Sequence, residues 1–461
     1  MGRPRNALLV ICRGERFRDS GRAVKKGLLL GAGFSYDLGM PLAFELTELF
    51  LGLFNPATIR ALAGGWSRQQ PFSKERPINS NAIHSGLDLI LDYKNKNGTN
   101  YEALLADLQS LAGISTPSQS DRDSYHFLFV QFYQIIHRLL CLYQEASYEI
   151  VYPHNLEWFG GLRNLLSDDE TWVFNLNHDL CFEYLALDLG IPISYGDVGE
   201  MTFPVNNLDL KRVIRFGCIE QSQYKAENGS FIHGSFGINI VKLHGGLSEL
   251  EYQDKTILCN LKLDKGSSRE LAADFAAFNE MGYFFNGERL PDGKDRWITD
   301  SAGELHVASK SMLTGGRKYG DTLKIQAGEE KIALFDKLLK ELDELTIIGY
   351  GFGDRHINFR LSNAMSLNDR LRLRIVDPRF QSIPECVRHF DYDGRVRQAC
   401  CGAAHWMSYS RSEKWDAQQM QALKENEKYR VEARRRVQSR IVAGLRWAYT
   451  ALALVIIPSA F

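Results

Sequence analysis

Four short segments of this chain gather the residue types best able to do chemistry. The first is Gly31-Ala32-Gly33-Phe34-Ser35, continued by Gly39-Met40-Pro41. Glycines behind an apolar run let backbone approach a pyrophosphate, and a helix that follows offers its unpaired N–H groups to one. The second is Asn175-Leu176-Asn177-His178-Asp179. Here Asn and Asp can hold a carboxamide and a water without supplying a strong nucleophile, although helix capping is an ordinary alternative for Asn177 and Asp179. In the third, Lys242-Leu243-His244-Gly245, a histidine with open space behind it suits general-base work near neutral pH. A purely structural hydrogen bond is the competing role for His244. The fourth is Gly349-Tyr350-Gly351-Phe352-Gly353-Asp354, followed by His356 and Asn358. Its glycines permit close approach of a ribose or adenine, and Asp354 reads most simply as a helix N-cap. Asp377, closing the next apolar run, is placed to accept hydrogen bonds from ribose hydroxyls.

The elements around these segments repeat one pattern. Apolar runs at Gly27–Gly31, Thr171–Leu176, Ile238–Leu243, Leu345–Gly349 and Leu371–Val376 read as short strands. Helices are expected from about Tyr36 to Phe54 and over Leu180–Leu189, Lys331–Glu344 and Asp354–Met365. Each chemical segment therefore follows a strand, and ligands of doubly wound sheets bind at the carboxyl ends of strands. The expected fold class is α/β: a Rossmann-like doubly wound parallel sheet with large helical insertions and a C-terminal helical tail. Residues 1–26 form a basic extension, and 27–412 the sheet-based domain. One helical insertion falls at about 55–169, with Tyr101–Leu111 and a very apolar Tyr125–Tyr143 as its clearest helices. Helix 125–143 should be buried or shared with another subunit. A second, loop-rich insertion is expected at about 248–327. In the tail, 413–461, charged Glu413–Arg440 precedes apolar Ile441–Ile457, which contains Arg446 and stops at Pro458. Partner or oligomer packing suits that tail best, with contact to a membrane as the second reading.

Bulk composition narrows the partners. Lys+Arg total 55 against 56 Asp+Glu, so no global charge points to direct nucleic-acid binding. The eight cysteines include no C-x-x-C pair, which argues against a zinc ribbon and leaves no metal expected. The apolar run Ala7–Cys12 is too short for a signal peptide, and a cytoplasmic location is expected.

In this order, the four segments resemble the sirtuin family over about 27–60, 170–190, 238–247 and 345–378. GAGFS…GMP resembles the family's GAG-x-S…GIP element, N-x-D its nicotinamide-site motif and LHG its catalytic-histidine motif. GYGF stands where the family has a glycine-rich segment near the adenosine half of NAD. The resemblance implies that NAD+ is the substrate, with Asn177 and His244 as the catalytic pair and Asp179 orienting nicotinamide. Gly31, Ala32, Gly33 and Ser35 would hold the phosphates and nearby ribose, while Gly349, Tyr350, Gly351 and Asp377 would face the adenosine half. Two departures matter. The zinc ribbon of the protein deacylases is missing, and Leu42-Ala43-Phe44 follows Pro41 where those enzymes have Asp-Phe-Arg. Both look like the sirtuin-like effectors of bacterial anti-phage systems. That likeness implies an NAD+ glycohydrolase controlled by homo-oligomerisation or by a separately encoded sensor, such as a HerA-type ATPase or an Argonaute-like protein. An ADP-ribosyl cyclase or transferase, a deacylase, and a non-catalytic NAD or ADP-ribose sensor remain as alternatives.

Overall fold

Seven strands lie side by side, every neighbouring pair parallel: β1 (Lys26–Leu30), β2 (Glu170–Asn175), β3 (Ile193–Ser194), β4 (Gly237–Lys242), β5 (Glu344–Ile348), β6 (Arg372–Val376) and β7 (Val396–Ala399). Their order across the sheet is β7-β6-β5-β1-β2-β4-β3. This computed structural model describes residues 24–68, 78–96, 100–113, 115–313, 329–379, 382–415 and 417–452. Most of the basic extension expected at 1–26 therefore lies outside the described residues.

Strand composition explains the layering. Successive strand side chains point to opposite faces, and here the two sets enter two separate cores. Leu28 and Leu30 join Ile240, Ile348 and Val376 in one, whereas Leu29 joins Phe174, Val241, Ile347 and Ile375 in the other. A parallel sheet covered on both faces needs such unbroken apolar runs. The chain moves from β1 to β2 on one side and later returns to β5 on the other. The topological switch point thus falls between β1 and β5, where an α/β sheet has its ligand crevice.

The helix expected over 36–54 is shorter, α2 (Ala43–Gly52), and a separate short helix, α1 (Ala32–Tyr36), precedes it. Gly39, at φ +107°, turns the chain between them, and a side chain there would strike Ser147 and Val151. In the helical insertion, Tyr101–Leu111 is a helix with the expected bounds, and the apolar helix extends to Gln119–Ala146, named α3. Its Phe132 sits among the rings of Phe50, Phe54 and Trp66. The apolar side chains of α3 are thus covered by this chain's own helices, with no second subunit needed to bury them.

Up to residue 313 the region expected as a loop-rich insertion is instead largely regular, and its remainder, 314–327, lies outside the described residues. Residues 199–206, 209–220, 249–252, 257–261, 295–299 and 305–310 form a six-stranded antiparallel sheet, and helix Ser268–Glu280 packs Phe275 and Phe278 into the same core as its Phe216. This sheet begins at Gly199, before β4. Interleaved polar residues hide such strands, because a half-exposed antiparallel strand carries apolar residues only at alternate positions.

Two further helices flank the sheet ends, α4 (Cys181–Asp188) and α5 (Arg355–Leu367). The charged tail forms α6 (Glu427–Leu452), which folds back on the helical layer. Its arginines pair with acids of α2 and α3: Arg430 with Glu45, Arg434 with Glu48 and Arg440 with Glu145. Among the described residues, no helix is long and apolar enough to cross a membrane. The end of the apolar run Ile441–Ile457 lies outside them.

Candidate active site

One register row aligns the ends of six strands. Lys242 pairs with Asn175, Asn175 with Leu30, Leu30 with Ile348, Ile348 with Val376, and Val376 with Ala399. The chemical segments all leave the sheet just past this row. Gly31, Gly349 and Asp377 follow it by one residue, and Asn177 and His244 by two. Because β2 and β4 are neighbours, Asn177 and His244 leave adjacent strands at equal height, with about 4.8 Å between the strands. The two loops are also tied together: the His178 ring contacts the Gly245 carbonyl at 3.1 Å, and the Leu247 amide donates to the His178 carbonyl.

Around Asn177 the bonding is dense. Its Nδ2 donates to the Gly31 carbonyl at 2.9 Å and to Ser35 Oγ at 3.0 Å. Both amide protons are thereby used within the protein, so Oδ1 is the atom left for a ligand. Ser35 Oγ in turn donates to Asp179 Oδ1 at 2.9 Å, and that oxygen also accepts from the Cys181 amide at the start of α4. Ser35 was expected to touch phosphate or ribose. It is buried instead and links Asn177 to Asp179.

The glycines do a different job from the one expected. The amides of Gly31 and Gly33 donate to Ile348 and Gly349 carbonyls, so neither is open to a phosphate. A Cβ on Gly31 would lie 2.6 Å from the Gly349 oxygen, and one on Gly33 would lie 2.7 Å from Gly349 Cα. Their smallness lets the β1 and β5 loops touch at the switch point. Five residues of α1 are too few to form the helix N-terminus expected to receive a phosphate. Ala32, the first residue of α1, is exposed between the two glycines.

Beyond β5 and β6 two more expectations change. Tyr350 is buried, and its hydroxyl bonds to Asp354 backbone and to Asn358 Oδ1, which fixes the start of α5. Gly351 is exposed. Asp377 is buried, and its carboxylate already binds the guanidinium and amide of Arg379. A ribose would have to share it. Asp354 occupies the N-cap position of α5, yet its side chain makes no capping bond. Its carboxylate lies within 4.8 Å of the ring nitrogens of His244 and His356, which are themselves 3.3 Å apart, Nε2 to Nε2.

Two participants had no role in the sequence reading. His356 is the contact of the expected base, and its signal was D-x-H at the start of a helix behind a glycine-rich turn. Lys242 is the other. Its buried Nζ lies 2.9 Å from Glu183 Oε1 and donates to the Asp179 carbonyl. A lysine ending the apolar run GINIVK was its signal.

The insertions close over this layer. Gln144 of α3 accepts from the Leu180 amide, and Asn155 donates to the Asp37 carbonyl. Burial chiefly, then the charges of Glu102 and Asp354, hold the Tyr101 hydroxyl well above its usual range. Residues 311–313 cover the His244 loop, with Leu313 donating to the His244 carbonyl. Asn177 is only 7% exposed and His244 1%.

No protein-family model matches this sequence, and no curated protein does. Among solved structures, the chain is similar to one described as "Structural Basis for the Mechanism and Regulation of Sir2 Enzymes". The two share 10% identity over 89% of this chain and 94% of that one, with a TM-score of 0.28. Superposition that loose carries no weight for the chemistry, which this chain's own residues have to supply.

Proposed function

We propose that this protein is an NAD+ glycohydrolase that cleaves the nicotinamide–ribose bond to give nicotinamide and ADP-ribose. The observation carrying the reading is the shared register row, which brings Asn177 and His244 out from adjacent strand ends, next to the strand at the switch point. Nicotinamide departs as a neutral pyridine and needs little acid assistance. The barrier lies in an oxocarbenium-like ribosyl centre, as in other glycosidic cleavages. His244 acts as base toward water or a ribose hydroxyl. Asn177, its Nδ2 fixed by Gly31 and Ser35, presents Oδ1 to orient that water or hydroxyl. Asp179 orients the nicotinamide carboxamide through the oxygen not used by Ser35.

Near-complete burial of both residues implies that substrate reaches them only after the covering segments open. A gate of this kind fits an enzyme held inactive until assembly or a sensor protein releases it, as in an anti-phage effector that depletes NAD. The tail helix α6 is the surface offered to such a partner, since α3 is already covered. Purified protein incubated with NAD, with products separated by chromatography, tests the reaction. Free nicotinamide and linear ADP-ribose are expected. A cyclic or protein-linked product would make it a cyclase or transferase, and ligand binding without turnover a sensor.

A further inference from the structure

We propose that His244, His356 and Asp354 form a Zn2+ site, and that metal bound there withdraws His244 from catalysis. Three observations converge. The two Nε2 atoms face each other at 3.3 Å, whereas N–H hydrogen bonds cluster near about 2.9–3.0 Å. Zinc–imidazole bonds of about 2.0–2.1 Å place two tetrahedral donors roughly 3.3–3.4 Å apart, the separation seen here. Asp354 stands at the N-cap position of α5, and its carboxylate oxygen lies within 4.8 Å of both ring nitrogens. A side-chain rotation that brings it closer completes a tripod.

The donor set selects the metal class. Two imidazoles and one carboxylate suit a borderline first-row cation and not Mg2+ or Ca2+, which prefer all-oxygen cages. Three protein ligands leave a fourth position for water, the pattern of open zinc sites. Gly351 and Gly353, in the loop that leads to Asp354, are both exposed, and a Cβ on Gly353 would meet nothing within 4 Å. Zinc binding needs no assumption about the reaction. Its inhibitory consequence rests on His244 being the base, because the metal takes the lone pair that would accept the proton.

The test uses the full chain, stripped with a chelator and titrated with Zn2+ against a chromophoric chelator. One tight Zn2+ per chain is expected, and cysteines elsewhere are common to all variants. His356→Ala and Asp354→Asn should weaken that binding, His356→Ala by at least about 100-fold, since removing even the groups that orient a ligand costs 10- to 100-fold. Should His356→Ala not fold, Asp354→Asn alone decides the matter. His306→Ala, which removes the separate surface group of Asp300, Glu304 and His306, should leave the tight site intact. Equal binding by native protein and both site variants, or loss of the tight site in His306→Ala, overturns the assignment. In the second arm, Zn2+ should suppress nicotinamide release and a chelator restore it. Full turnover with the site occupied overturns the inhibition. Tight, His356-dependent zinc with no turnover in metal-free protein upholds the site and counts against the NADase reading alone.

Discussion

Lys242→Met is the substitution through which the frame beneath the site can be weighed. Lys242 and Glu183 are almost completely buried, with 2.9 Å between Nζ and Oε1. Glu183 also accepts from the Tyr195 hydroxyl at 2.7 Å, and its other oxygen, Oε2, has no hydrogen-bond partner among the described residues. Methionine fills the volume of the lysine stem but leaves the carboxylate without its counter-ion and the Asp179 carbonyl without a donor. Removing one partner of a buried pair costs about 3–5 kcal/mol, mainly because the remaining charge stays out of water. Adding Glu183→Gln removes that charge and keeps an acceptor for Tyr195, so the double variant should recover roughly 2 kcal/mol of the loss. Urea unfolding followed by tryptophan fluorescence measures all four corners of the cycle. Since Lys242 stands two residues before His244 and holds the Asp179 loop, nicotinamide release should also fall in the folded single variant. The reasoning fails if Lys242→Met unfolds within about 0.5 kcal/mol of native, the range of ordinary surface changes. It fails equally if the double variant is no more stable than the single one.

Other perturbations probe separate parts of the account. Gly349→Ala forces a Cβ to 2.3 Å from the Phe34 amide at φ +66°, so a loss of about 3 kcal/mol or more is expected, read as a lower urea midpoint. Lys310 is buried, and burial followed by the nearby Arg296 lowers its ammonium to about 8 from an ordinary 10.5. Below pH 8 both folded and unfolded chains hold that proton. Between about 8 and 10.5 the unfolded chain holds more, so this group makes the protein more stable as pH rises. Lys310→Met should remove that rise, on the order of 3 kcal/mol, and unfolding of both proteins across pH 7.5–10 would reveal it by difference.

Much of this was legible in the chain itself. Every apolar run chosen as a strand is one, to within a residue at either end, because strands buried on both faces carry their signal without interruption. The motifs were enough to put Asn177 and His244 each at the carboxyl end of a strand, but only the pairing of β2 with β4 makes those ends neighbours. What the sequence could not convey is which groups satisfy one another. Ser35 and Tyr350 look like ligand contacts by type, yet their hydroxyls are used inside the protein. Gly31 and Gly33 look like a phosphate cradle, yet they exist to admit Gly349. Asp377 has its partner only two residues away, at Arg379, while His356 meets His244 across 112 residues of sequence. Two-residue strands such as Ile193–Ser194 and the half-exposed antiparallel sheet offer too few apolar positions to register as a period.

The central claim is that His244 and Asn177 act on one ribosyl centre. Its most direct measurement is nicotinamide release from NAD by native protein, His244→Ala and Asn177→Ala, each confirmed as folded by circular dichroism. Release should fall by about 100-fold or more in each variant, the scale of a lost general base or its orienting group. Native-like rates in both folded variants would contradict the account.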